Sequence, residues 1–331
     1  MRSPSRRPGV RVAAAVAALA LATGLAACGN DSATKKDSGS KPAAEADSGF
    51  PRSVKHHKGT TKLEARPERI VALDPSLVEA ALALDGKLVG GVGSYGDKKT
   101  FPPYLGDSVK NVKQVGPLES PDLESIAALE PDLIVSASVR HDALYDELSE
   151  IAPTVFVETT GPTWKDNITK LGEALGAEQK AKDALAAYEK RAAAIGKAIN
   201  KKADNPEISV VRFMDGPTRL TGNASFTGIV LSDMGLARPK AQDVDEFAVE
   251  VGEEQIRKAD GDHIFVSTYE GGDESKERFL RNPLWRQLDA VKNKQVHQVN
   301  DATWMLSVSL QGANLVLDDM AKTFGVDPQR G

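Results

Sequence analysis

A disulfide is excluded at the outset, because Cys28 is the single cysteine among 331 residues. A fold of this size must then be held by its apolar core alone. Histidine is almost as scarce. His56, His57, His141, His263 and His297 are the only five, and no HxH, HxxxH or HExxH spacing sets two imidazoles on one metal. They read as surface or turn residues, and no metal site of the protein's own is expected. The nucleophile elbow Gly-x-Ser-x-Gly is missing, since Gly222-Asn223-Ala224-Ser225-Phe226 ends in Phe where the elbow needs Gly. No phosphate-cradling GxxxxGK(S/T) follows Gly90, Gly91 and Gly93. Without clustered His and Cys or paired acids, no catalytic residue is expected and an enzyme is the disfavoured reading. Positive charge is lacking too. The formal charge of −5 becomes about −9 once the four arginines ahead of the first apolar run are set aside, which argues against nucleic acid or an anionic membrane surface as partner.

What is present begins with those arginines. Arg2, Arg6, Arg7 and Arg11 precede an alanine-rich run from Val12 to Ala22 that is too short to span a bilayer. Residues 1–27 therefore read as a signal peptide. Leu25-Ala26-Ala27-Cys28 resembles a bacterial lipobox, whose cysteine is diacylated through its thiol and becomes the new N-terminus. Lipid attachment is expected at Cys28, and the expected location is the cell membrane, on its extracytoplasmic face. Ser5-Arg6-Arg7 looks like the start of a twin-arginine signal, from which Pro8 and Gly9 depart, so the export route stays open. Gly29 to Gly49 is rich in Ser, Asp, Lys, Gly and Ala and has no aromatic, too little to repay its ordering entropy. Residues 28–57 read as a disordered tether.

From Arg69 the chain alternates short β-branched runs with helical stretches: Ile70 to Leu73, a helix over Ser76 to Leu84, then Leu88 to Val92. A helix over Asp122 to Leu129, the run Leu133-Ile134-Val135, a helix over Asp142 to Leu148 and the strand Thr154 to Val157 come next. After Pro206 the alternation resumes, with Ile208 to Val211, helices at Phe226 to Met234 and Glu253 to Lys258, and the strand His263 to Val266. These are two Rossmann-like α/β lobes with mostly parallel sheets, over residues 58–176 and 203–331. Glu124, Ile126, Asp132 and Ile134 recur 130 positions later as Glu254, Ile256, Asp262 and Ile264, an interval that suits a duplicated domain. Between the lobes, Ala181, Leu185, Tyr188, Ala192, Ile195 and Ile199 recur at three and four residues. That stripe predicts a single long helix over 177–202, roughly 37 Å at 1.5 Å per residue, acting as a strut. A crossover helix inside one large sheet is the alternative. Gly176 is the expected stop of the preceding helix, which Thr163 is expected to cap.

An open α/β sheet presents its ligand crevice beyond the carboxyl ends of its strands. Tyr95, Arg140, Arg212, Tyr269 and Trp304 fall there and are the candidate ligand contacts, with Phe213, Phe226 and Arg219 as weaker ones. Aromatic faces with guanidinium groups suit a bulky, partly apolar ligand bearing oxygen acceptors.

From about Leu63 to Phe324 the chain resembles the substrate-binding lipoproteins of ABC importers in the iron-siderophore and cobalamin class. Glu68 to Leu73, Val115-Gly116, Pro121 to Ile134 and Trp164 to Gly176 carry the resemblance, behind the lipobox. It implies two lobes bridged by one long helix, a ligand held between them, and Glu124 and Glu254 engaging arginines on a membrane permease dimer, with the binding protein a monomer. A siderophore fills the coordination sphere of its Fe(III), so the iron travels inside the ligand and no metal ligand of the protein is needed. A catecholate complex carries about three negative charges and calls for a dense basic cluster, whereas a hydroxamate of the ferrioxamine type is near neutral and suits a few arginines with aromatics. The hydroxamate is favoured. Haem, with Tyr95 as axial ligand, and cobalamin are alternatives, and a lipid-anchored hydrolase is the competing reading from another class.

Overall fold

The computed structural model describes residues 49–95 and 100–330. The signal peptide, Cys28 and most of the expected tether lie outside the described residues. The last part of that tether is folded, which corrects the boundary at residue 57. Arg52–His56 (β1) and Gly59–Leu63 (β2) form an antiparallel hairpin, with Val54 and His56 buried. Lysines and histidines around a single valine hide this short alternation from a sequence reading.

The N-terminal lobe continues as β3 (Ile70–Ala72), α1 (Pro75–Ala83), β4 (Leu88–Gly91), β5 (Lys113–Gln114), α2 (Leu123–Ala128), β6 (Leu133–Ala137), α3 (Ser138–His141), α4 (Tyr145–Ile151), β7 (Thr154–Val157) and α5 (Trp164–Leu175). Its five strands are parallel, in the order β5-β4-β3-β6-β7. Helices cover both faces, so β3, β6 and β7 are buried throughout and appear in sequence as nearly continuous apolar runs, broken only by Ser136 and Thr154. The hairpin shields the β7 edge: the His57 amide donates to the Phe156 carbonyl at 2.9 Å and the Thr61 hydroxyl to the Thr154 carbonyl at 2.6 Å.

One helix of 26 residues, α6 (Glu178–Ala203), joins the lobes. Gly176 ends α5 in the left-handed conformation at φ 62°. Thr163 does not cap α5; its hydroxyl donates instead to the Thr159 carbonyl at 2.8 Å. The expected stripe of α6 is its buried face, from Ala181 through Tyr188 and Ala192 to Ile195 and Ile199, with Leu185 partly buried. Its Tyr188 meets Trp164 of α5 edge to face at 5.3 Å and donates to Asp233 in the other lobe at 2.8 Å. Gly196 lets α6 approach the second lobe closely, since a Cβ there would lie 1.7 Å from the Met234 carbonyl oxygen.

The C-terminal lobe runs β8 (Ile208–Phe213), β9 (Thr218–Thr221), α7 (Phe226–Asp233), β10 (Ala248–Val251), β11 (His263–Thr268), α8 (Asp273–Arg281), α9 (Asp289–Lys292), β12 (Val296–Gln298) and α10 (Leu310–Phe324). Its sheet is separate, ordered β10-β9-β8-β11-β12, with β8, β11 and β12 parallel and β9 and β10 antiparallel. Two sheets with α6 between them make that helix a strut and not a crossover. Two expected helices are tighter than foreseen: Glu253–Ala259 is a 3-10 helix, and the Asp142 helix opens with a 3-10 turn before α4.

The echo at 130 positions is a repeated structural unit. Ile126 and Ile256 are each fully buried, and Ile134 and Ile264 pair beside the central strands β3 and β8. Asp132 accepts from the amides of Glu68 and Arg69 at 2.7 and 2.8 Å, while Asp262 accepts from the Glu207 amide at 2.8 Å. Each aspartate ties the turn before its own strand to the start of the strand alongside.

Candidate functional site

The site grows from loops at the carboxyl ends of the central strands. After β3, Asp74 caps α1 by accepting from the Ser76 amide at 2.9 Å and also accepts from the Ser76 hydroxyl. It is fully buried, and two further groups reach it from other loops. Tyr95, beyond β4, donates its hydroxyl to Asp74 at 3.2 Å, and Arg140, on α3 beyond β6, donates Nε at 3.3 Å. The Arg140 guanidinium lies 5.5 Å from the centroid of the Tyr95 ring, a cation-π distance. Burial, with the Asp74 charge beside it, pushes the Tyr95 hydroxyl well above its usual pKa range.

The second lobe builds the same trio from different loops. Arg212, near the end of β8, lies 4.8 Å from the centroid of Tyr269, which comes just after β11. It donates Nε and Nη2 to the two oxygens of Asp301 at 2.8 and 2.7 Å, and the Ser267 hydroxyl donates to Asp301 at 2.9 Å. Each lobe thus offers an arginine stacked on a tyrosine with a buried aspartate behind it.

The two tyrosines face one cavity. Tyr95, Phe101 and Tyr104 from the first lobe and Tyr269, Glu270 and Leu306 from the second line a chamber of about 120 Å³. An open groove of about 400 Å³ continues past Tyr269 between Asp273, Lys276 and Asn300. A smaller recess beside Arg212 is lined by Arg219, Thr221, Phe247 and Met305, and Arg219 pairs there with Glu250 at 3.1 Å. Phe247, 55% exposed at its rim, is one of only two large apolar residues so exposed among the described residues. Beneath the chamber, Glu79 on α1 accepts from the Tyr104 hydroxyl at 2.6 Å and from Ser307 of the other lobe. Burial raises its pKa from 4.5 to about 7, against the pull of those hydrogen bonds.

Trp304 does not line the chamber; it borders the smaller recess beside Arg212, with its indole turned into the core. It is fully buried, stacks on Phe265 at 5.0 Å and donates its indole N–H to Asp319 at 2.8 Å. The segment Ala302–Leu306 winds as a π-helical turn, which sends the indole inward and leaves Ala302 and Leu306 on the cavity. Phe213 is a core residue, and Phe226, also buried, borders the same recess as Trp304. Sequence reasoning missed Asp74 and Asp301, whose only local signal is that of helix-capping or turn residues, and Tyr104, Glu79 and Phe247.

Glu124 on α2 and Glu254 in the 3-10 helix are both exposed, and neither makes an ion pair among the described residues. Among the described residues no three His, Cys, Asp or Glu side chains gather as a metal site. His141 is held by Ser136 and the Leu118 carbonyl, and His263 stacks on His297 with their ring nitrogens 3.0 Å apart. No described helix is long and apolar enough to cross a membrane.

Comparison with known proteins shows the family and the fold. The chain is similar to the probable siderophore-binding lipoprotein YfiY of Bacillus subtilis, with 38% identity over 297 residues, 85% of this chain and 90% of that protein. It is 29% identical over 282 residues to the Fe(3+) dicitrate-binding periplasmic protein FecB of Escherichia coli, covering 84% of this chain and 92% of the relative. Among solved structures, Staphylococcus aureus SirA complexed with staphyloferrin B superposes with a TM-score of 0.76 at 33% identity, over 84% of this chain and all of that one. The profile of the periplasmic binding protein family matches residues 70–302, from β3 to the turn beyond β12, and the chain belongs to that family of binding proteins.

Proposed function

We propose that the protein captures an iron(III)-siderophore complex outside the cytoplasmic membrane and delivers it to an ABC importer. The observation that carries this reading is the pair of arginine-on-tyrosine units, one per lobe, whose tyrosines face a single chamber. Aromatic faces hold the apolar backbone of a chelate, and guanidinium edges meet its oxygens. The relatives named for a siderophore, ferric dicitrate and staphyloferrin B support the ligand class. The iron arrives already coordinated, so the cleft supplies no metal ligand. A chamber of about 120 Å³ is well below the 300 Å³ or more of ordinary ligand pockets. The open groove of about 400 Å³ past Tyr269 supplies the further space a chelate needs.

A hydroxamate is the favoured ligand, because Arg140, Arg212 and Arg219 each already face a carboxylate, on Asp74, Asp301 and Glu250. The cleft is charge-balanced and suits a near-neutral complex better than a catecholate. The Escherichia coli relative supports a second reading, a citrate-type carboxylate chelate. Anchoring through Cys28 keeps the monomeric protein at the membrane, and Glu124 with Glu254 dock it on a permease dimer. Titration of the mature protein with ferric trihydroxamate, ferric catecholate and ferric citrate, monitored by intrinsic fluorescence and by the iron retained on dialysis, ranks these ligands. Saturable binding of at least one of them is expected, strongest for the hydroxamate. No response to any ferric chelate would remove the function.

A further inference from the structure

The acidic residues behind the arginines have a role of their own. Asp74 is 0% exposed, and Asp301, 8% exposed, only edges the open groove past Tyr269. Both act through the arginine in front of them. Asp301 takes Nε and Nη2 of Arg212, which leaves the Nη1 edge for anything bound in the cleft. Asp74 takes Nε of Arg140 and the hydroxyl of Tyr95, fixing ring and guanidinium together. Each arginine therefore enters the cleft as half of a neutral pair with its orientation already set. The two pairs are built from unrelated loops in the two lobes, yet they produce the same arrangement.

We infer that Asp74 and Asp301 are positioning residues that set the charge selectivity of the cleft: by compensating Arg140 and Arg212 they favour ferric chelates of low net charge over anionic ones. The inference rests on the proposed function. An uncompensated guanidinium in a partly desolvated cleft attracts an anion strongly, whereas one paired with a carboxylate at 2.7 to 2.8 Å, as Arg212 is with Asp301, attracts it weakly. Removing the Asp301 charge unmasks Arg212, and removing the Asp74 charge leaves Arg140 facing only the exposed Glu119, 4.0 Å away.

The test uses Asp74→Asn and Asp301→Asn, since asparagine keeps the shape and one acceptor oxygen and is a good helix N-cap at position 74. Dissociation constants for ferric trihydroxamate and ferric citrate are measured for the mature wild type and each variant at two salt concentrations. Each asparagine variant should shift the ratio of the two constants toward ferric citrate by about tenfold, with a steeper salt dependence for citrate. Asp301→Glu should restore the wild-type ratio. Circular dichroism and retained hydroxamate binding show that a variant is folded, and the two sites are independent should one not be. A ratio and salt dependence unchanged in the folded variants would overturn the inference and leave the function standing. A wild type that binds no ferric chelate would overturn both.

Discussion

Arg212 grips both oxygens of Asp301, at 2.8 and 2.7 Å, where the side chains retain only 12% and 8% of their exposure. A pair this desolvated adds less than its geometry suggests, because both ions have left water. Breaking it from one side is costly, since the survivor is buried without its partner. Arg212→Ala is expected to lower the free energy of unfolding by about 3 kcal/mol or more. Removing both charges with Arg212→Met and Asp301→Leu should recover most of that loss while ligand binding stays weak. Urea denaturation of the single and double variants checks this. Equal losses in both would mean that the pair itself, and not the orphaned charge, carries the energy.

Glu79 gives the fold a pH dependence of definite sign. Its folded pKa of about 7 stands above the ordinary 4.5, so between those values the folded chain keeps a proton that the unfolded chain has lost. The stability contributed by the neutral carboxyl is fully present below about pH 4.5 and is lost as pH rises through about 7. Glu79→Gln keeps a partner for Tyr104 and Ser307 and removes the titration. The variant should match the wild type near pH 4 and exceed it at pH 8 by up to about 3 kcal/mol. Urea melts of both proteins across that range measure the difference, and parallel profiles would contradict it.

For Trp304 the expected defect is in stability. The indole is fully buried against Phe265 and bonded to Asp319, so Trp304→Ala should cost about 3 to 5 kcal/mol of folding free energy. Siderophore affinity measured on the fraction that remains folded should change little. A large loss of affinity with an unchanged melting temperature would return Trp304 to the cleft.

That residue marks where sequence reading stops. Tyr95, Arg140, Arg212 and Tyr269 were legible because a buried parallel strand is a nearly continuous apolar run, and the residues just past its end must lie at the sheet's carboxyl edge. Trp304 comes after β12 in the same way, but a π-helical turn rotates it inward, and nothing in Asp301-Ala302-Thr303-Trp304 announces that turn. Asp74 and Asp301 hold the site together through partners 66 and 89 positions away, a link that no local pattern contains. The α6 strut was legible from its stripe. Strands β9 and β10 were not, because Thr218-Arg219-Leu220-Thr221 and Ala248-Val249-Glu250-Val251 are short edge segments of mixed polarity.

In the proposed function, docking and binding use different residues. Glu124 and Glu254 occupy equivalent exposed positions on the repeated unit, away from the chamber. Pseudo-twofold carboxylates suit the twofold symmetry of a permease dimer. Reversing both, with Glu124→Arg and Glu254→Arg, should leave siderophore affinity and melting temperature nearly unchanged and abolish uptake in cells through like-charge contact. Normal uptake by that variant would return both residues to helix-end stabilisation.

Binding between the lobes is tested most directly by equilibrium dialysis of radiolabelled ferric trihydroxamate against the mature wild type, Tyr95→Ala, Tyr269→Ala and the double variant. The two rings face one chamber from opposite lobes, so each single change should weaken binding by about 1 to 3 kcal/mol. The wild type should hold one iron per chain, with no uptake of ferric ion alone, and the double variant should hold none at the same concentration. A double variant that binds as tightly as the wild type, or a wild type that retains no ferric chelate, would contradict a siderophore held between these two tyrosines.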